Sequence, residues 1–159
     1  DAKKLEESHA AGAQQVCAQL AAGKSVAFLT LGDPTIYSTY LYLQKRVQQA
    51  GFQTQIISGI ASFLAAGAAF DMGLVERKEQ LHIVPSTYGV EQALELPGTK
   101  VLMKAGKQLA AVKAAVAQTT DDIYMIENCG MENECMVYGA QNMPDDAGYY
   151  SLIIVKENS

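Results

Sequence analysis

The sequence is poor in the residues that hold metals. Its 159 residues include two histidines, His9 and His82, and three cysteines, Cys17, Cys129 and Cys135. No Cys-x-x-Cys pair occurs, so no protein-built metal site is legible. Cys17 falls on a helical face as a small core residue, and reduced thiols are the expected state of all three. Cations are scarce too: Lys plus Arg number 12 against 17 Asp plus Glu, for a net charge of −5. With no basic run interleaved with aromatics, nucleic acid is not an expected partner. Apolar stretches stop well before the roughly 20 residues of a membrane-spanning helix, and no basic-then-apolar leader opens the chain. A soluble cytoplasmic protein is the expectation.

What is present is an apolar share of 49%, enough for one globular domain or two small lobes. Leu5, His9, Val16 and Leu20 set a helical face over residues 2–22, closed by Gly23. Asp1 opens the chain almost directly into that helix. The sequence therefore reads as a piece of a longer protein, with no strand supplied ahead of the helix.

The stretch Val26-Ala-Phe-Leu-Thr-Leu-Gly-Asp-Pro-Thr-Ile-Tyr-Ser-Thr-Tyr40 follows. Residues 26–31 have a buried-strand pattern, Gly32 permits a close backbone approach, Asp33 can cap, and Pro34 suits a first helical position. A helix is expected over 35–50, ended by Gly51, then a strand over 52–57. An alanine-rich helix is expected over 60–70. A charged loop over 74–80 leads to a strand over 81–84, a turn at Pro85-Ser-Thr-Tyr88, and a short helix over 90–94. Strands over 100–104, 122–127, 136–138 and 150–155 and a helix over 107–117 complete an alternation that specifies α/β architecture. The expected lobes are 1–57 and 58–159.

Two lysine motifs imitate phosphate loops. Gly23-Lys24-Ser25 follows a helix and opens a strand, the inverse of the required order. Gly106-Lys107 has the right order but lacks the upstream glycine, Val101 standing there, and Gln108 replaces the hydroxyl residue that would reach magnesium. No Gly-x-Gly-x-x-Gly follows a strand. Four exits from expected strands remain as candidate site walls: 31–33, 58–62, 104–106 and 127–130. Ligands of open α/β sheets favour that edge. From the residues alone, an α/β module for a nucleotide-like ligand and a fragment that dimerises through sheet edges both stay open.

Leu31-Gly-Asp-Pro-Thr-Ile-Tyr, Gly59-Ile-Ala-Ser-Phe-Leu-Ala-Ala, Val101-Leu-Met-Lys and Glu127-Asn-Cys-Gly-Met-Glu occur in order. In these motifs the chain resembles the tetrapyrrole methylases, from about Gly23 to Lys156. Within that family the wording, including Ile83-Val-Pro-Ser-Thr-Tyr, is nearest to the branch acting at carbon 20 of precorrin-2 or cobalt-precorrin-2.

The resemblance implies a two-lobed α/β fold whose first lobe is incomplete here, because the family's opening Gly-x-Gly-Pro-Gly-Asp-Pro loop has no counterpart. It implies S-adenosylmethionine as cofactor, held between lobes, S-adenosylhomocysteine as product, and methyl transfer to a ring carbon of a reduced tetrapyrrole. By motif match Leu31, Gly32, Asp33 and Ile36 line the cofactor from the first lobe. Ala61, Ser62, Lys104 and Cys129 complete the site. Family members commonly pair as homodimers. No general base is assigned, since a sulfonium methyl is already activated. Arg77, Lys78, Lys104 and Lys107 are candidate partners for the substrate's carboxylates.

Overall fold

The computed structural model describes residues 2–86 and 89–158; the end of the expected 85–88 turn, Thr87 and Tyr88, lies outside the described residues. The chain divides into two compact units, Asp1–Ala61 and Ser62–Ser159.

The first unit holds α1 (Ala2–Ala21) and α2 (Tyr40–Gln49). Gly12 of α1 faces Leu43 of α2, where a Cβ would lie at an ordinary contact distance of 3.5 Å from Leu43 Cδ2. His9, buried, stacks on Tyr42 at 4.8 Å with a 6° interplanar angle. Arg46 pairs with Glu6 across the same seam. The apolar face of α2, Leu43 and Val47, is buried.

Both expected strands and the expected helix start fail in this unit. Residues 26–31 and 52–57 form no ladder among the described residues. Leu29 is 89% exposed and Ile57 78%. Apolar content gives a segment the tendency to extend, but a strand exists only when a neighbour takes its N–H and C=O groups. The expected 35–50 helix begins five residues late, at Tyr40. Thr35 is bound back to the Asp33 side chain, Tyr37 has φ +51, and Ser38 Oγ accepts the Tyr40 N–H at 3.2 Å. Side chains that bond local backbone compete with the helix. Pro34 accordingly sits in a turn.

The second unit carries α3 (Ser62–Ala69), β1 (Leu81–Pro85), α4 (Val90–Leu94), β2 (Thr99–Met103), α5 (Leu109–Val116), β3 (Asp122–Glu127), β4 (Cys135–Tyr138) and β5 (Ser151–Lys156). The sheet order is β1-β2-β5-β3-β4. β1 and β2 are parallel, β5 is antiparallel to both β2 and β3, and β4 is antiparallel to β3. β1, β2 and β3 therefore point the same way, and their carboxyl ends share one edge.

Interior β2 and β5 are buried almost throughout: β5 carries the apolar run Leu152–Val155, while in β2 Thr99 and Lys100 are buried beside Val101 and Leu102. Leu102, Ile153 and Val155 pack with Leu109, Val112 and Val116 of α5. Burying each such side chain contributes about 1.5–3 kcal/mol. Thr99 Oγ1 donates to Leu74 O at 2.6 Å and Lys156 Nζ to Gly73 O at 2.9 Å, which fastens the loop before β1 to the sheet. His82 Nε2 meets the Pro97 carbonyl at 3.0 Å, a satisfied structural histidine.

Candidate functional site

In the first unit the site is organised around one carboxylate. Asp33 Oδ1 accepts the Thr35 N–H at 2.8 Å and the Thr35 hydroxyl at 2.5 Å. Asp33 Oδ2 accepts the Ser58 hydroxyl at 2.7 Å and the Gly59 N–H at 3.0 Å. These donors, the Thr35 and Ser58 hydroxyls first and the two N–H groups next, hold the carboxyl well below the usual carboxylate range. The Asp33 to Thr35 contacts close a side-chain turn of the kind that makes Asp frequent at such positions.

The backbones of the two joined loops touch. Gly32 has φ +79, and a Cβ on Gly59 would lie 2.3 Å from the Gly32 carbonyl oxygen. Only glycine permits that approach. Of the residues expected here, Gly32 and Asp33 are brought against residues 58–59, exposed Leu31 precedes them in the chain, and half-buried Ile36 lies in the turn and bonds its N–H to Asp33 O at 3.2 Å. Because Asp33 holds Ser58 and Gly59, these two residues belong to the first unit, which runs on to buried Ala61. The expected exits at 31–33 and 58–62 are thus loops joined by a carboxylate rather than the ends of paired strands.

In the second unit Ser62 opens α3 and is exposed. Lys104 follows β2 with φ +60, and Asn128 follows β3 with φ +54. Met103 and Ile126 both pair with Leu152, so these two exits leave the same sheet edge with β5 between them. Cys129 lies in the β3–β4 hairpin, where burial first, and Glu134 beside it second, push its thiol pKa up. Glu134 also accepts the Gly130 N–H at 2.6 Å. A protonated thiol is a poor nucleophile, so Cys129 is suited to contact rather than to covalent chemistry.

Sequence reasoning left Gly148 and Ser86 of this edge out. Glu127 Oε1 accepts the Gly148 N–H at 2.6 Å, and a Cβ on Gly106 would meet the Gly148 oxygen at 2.1 Å. The Gly106 exit was legible, but its partner 42 residues later was not, since nothing local marks a contact of that span. Buried Ser86, following β1, donates its N–H to Met103 O at 2.8 Å, and its hydroxyl has no partner among the described residues. A cavity of about 730 Å³ lies at the opposite end of β3, lined by residues including Lys113, Asp122, Tyr124 and Tyr138. Among the described residues no helix is long and apolar enough to cross a membrane.

Comparison with known proteins gives one consistent family. The Tetrapyrrole (Corrin/Porphyrin) Methylases match residues 1–140. The chain is 31% identical to the precorrin-2 C(20)-methyltransferase of Sinorhizobium sp over 157 residues, 96% of this chain and 64% of the relative. It spans 58–64% of the length of the first curated relatives it matches. The solved cobalt-precorrin-4 methyltransferase has a similar fold, with a TM-score of 0.78 at 15% identity over 91% of this chain and 69% of that one. A uroporphyrin-III C-methyltransferase from Thermus thermophilus, solved with S-adenosylhomocysteine, gives 0.62 at 14% identity over 79% and 63%.

Proposed function

The chain belongs to the tetrapyrrole (corrin/porphyrin) methylase family, and from that premise we propose that it serves S-adenosylmethionine-dependent methylation of precorrin-2, free or carrying cobalt, at ring carbon 20 in cobalamin biosynthesis. The observation that carries the reading is the similarity to the Sinorhizobium enzyme, which extends over 96% of this chain. The family likeness to a structure holding S-adenosylhomocysteine supports the choice of cofactor.

The residues present fit such a ligand. Exposed Leu31 and Ile60 and half-buried Ile36 offer apolar surface beside glycine-rich backbone in the first unit. When bound, S-adenosylmethionine supplies an activated methyl group, so the chain has to supply alignment, which contributes about 7–11 kcal/mol in favourable systems. We assign Leu31, Gly32, Ile36 and Ala61 of the first unit, and Ser62, Lys104 and Cys129 of the second, to cofactor contact. Asp33 belongs with them as the group that orders its loop. No general base is assigned.

Pairing with a second copy and a cytoplasmic setting belong to the same proposal. Edge strand β4, Cys135-Met-Val-Tyr138, carries neither charge nor proline, the usual protections against strand pairing. Concentration-dependent sedimentation tests the pairing. For the reaction, methyl-labelled cofactor is incubated with the protein and precorrin-2, with and without cobalt. Label at carbon 20 is the expected result; label at another carbon would contradict the assignment.

A further inference from the structure

Asp33 stands among the residues that a motif match assigns to the cofactor, yet its carboxylate is already consumed. A carboxylate offers about four acceptor positions, and here four donors of the chain itself fill them: the Thr35 N–H and hydroxyl on Oδ1, the Ser58 hydroxyl and Gly59 N–H on Oδ2. A ligand group reaching this carboxylate would have to displace one of them. We propose that Asp33 is a latch rather than a ligand contact, and that Thr35 and Ser58 are positioning residues that set the spacing of the two first-unit loops. This rests on the cofactor reading above and deepens it.

The spacing is fixed from both directions. The latch draws residues 58–59 toward residue 33, and the contact between Gly59 and the Gly32 carbonyl, where a Cβ would stand 2.3 Å away, stops the approach. Leu31 and Ile60, each 70% exposed, flank the joined segment on opposite loops. Anything that lets the loops drift apart separates these two apolar side chains and leaves their ordering to the moment of binding, which lowers affinity. The two hydroxyls are separable from the rest: Thr35→Val keeps the Thr35 N–H on Asp33, and Ser58→Ala keeps the Gly59 N–H. Each leaves the carboxylate three donors.

The test is calorimetric titration with S-adenosylhomocysteine of the wild type, Ser58→Ala, Thr35→Val, Thr35→Ser, Asp33→Asn and Asp33→Asn with Ser58→Ala, together with hydrogen exchange of the Gly59 amide. Loss of either hydroxyl is expected to raise Kd about tenfold. Thr35→Ser, which restores the hydroxyl, should bind as the wild type does. Asp33→Asn with Ser58→Ala should bind no more weakly than Asp33→Asn alone, because both changes open one latch. The Gly59 amide should exchange faster in Ser58→Ala and in Asp33→Asn. Additive losses, or wild-type affinity in both Ser58→Ala and Thr35→Val, would overturn the latch. A wild type that ignores S-adenosylhomocysteine would sink the cofactor reading instead. The latch would then stand or fall on whether Gly59 exchanges more slowly in the wild type than in Asp33→Asn.

Discussion

Lys100 Nζ lies 3.2 Å from Asp121 Oδ2, and the lysine side chain keeps only 2% of its surface while the aspartate keeps 15%. The lysine sits within β2, one of the two most buried strands of the sheet. Removing one member of such a pair leaves the other as an uncompensated charge, and the two members differ in how far they are from water. Asp121→Ala is expected to destabilise the protein by about 3–5 kcal/mol. Lys100→Met keeps the volume and leaves a carboxylate nearer to solvent, so it should cost clearly less. Urea unfolding of both variants checks the order.

The carboxyl of Asp33 has a folded-state pKa lowered from the ordinary Asp value by its four donors. A depressed pKa gives a stability contribution that is fully present above the unfolded pKa and is lost progressively as pH falls from there through the folded one, while the folded carboxyl itself stays ionised until the folded pKa is reached. The latch should therefore stay intact from neutral pH down through about pH 4, where an unperturbed Asp titrates. A carbon-13 NMR titration of the side-chain carboxyl is expected to show no midpoint in that range. A midpoint near pH 4 would mean the four donors do not hold it.

Gly59→Ala places a methyl 2.3 Å from a backbone oxygen that has no rotamer to move. The two first-unit loops must separate to take it. Strain of this kind costs about 1–3 kcal/mol, and S-adenosylhomocysteine affinity should fall along with stability. Gly130→Ala is the contrast for space, since its Cβ would meet nothing within 4 Å, although φ +76 still strains it. Thermal unfolding and titration of the two variants separate a close contact from backbone strain.

Cys129 and Cys135 sit in one hairpin with different surroundings. Cys135 is exposed, whereas Cys129 is partly buried with its thiol pKa raised by burial and by Glu134. Alkylation at neutral pH should modify Cys135 first. Glu134→Gln removes the charge but not the burial, so Cys129 is expected to speed up without matching Cys135. Mass spectrometry of timed alkylation reads both rates.

Much of the second unit was legible because its signals are local. Asp122–Glu127 and Val90–Leu94 lie where apolar runs and turn residues placed them, and the lysine motifs fell away on element order alone. Sheet order was not legible, since the pairing of Met103 and Ile126 with the same Leu152 joins distant stretches. In the first unit the apolar pattern of 26–31 was read as a strand, although a pattern states only a preference and the ladder decides. The start of α2 was misplaced because Asp33, Tyr37 and Ser38 act through side-chain bonds and a positive φ that helical periodicity does not register. At the candidate site the glycines and Asp33 stood out, while the part of Ser58 depends on a contact 25 residues away.

The most direct measurement is calorimetric titration of the chain with S-adenosylhomocysteine, with ATP and NAD as controls at matched ionic strength. The account predicts saturable binding of S-adenosylhomocysteine and none of the controls, weakened in Ser58→Ala without loss of the folded fraction. Equal binding of all three ligands, or of none, by folded protein would contradict it.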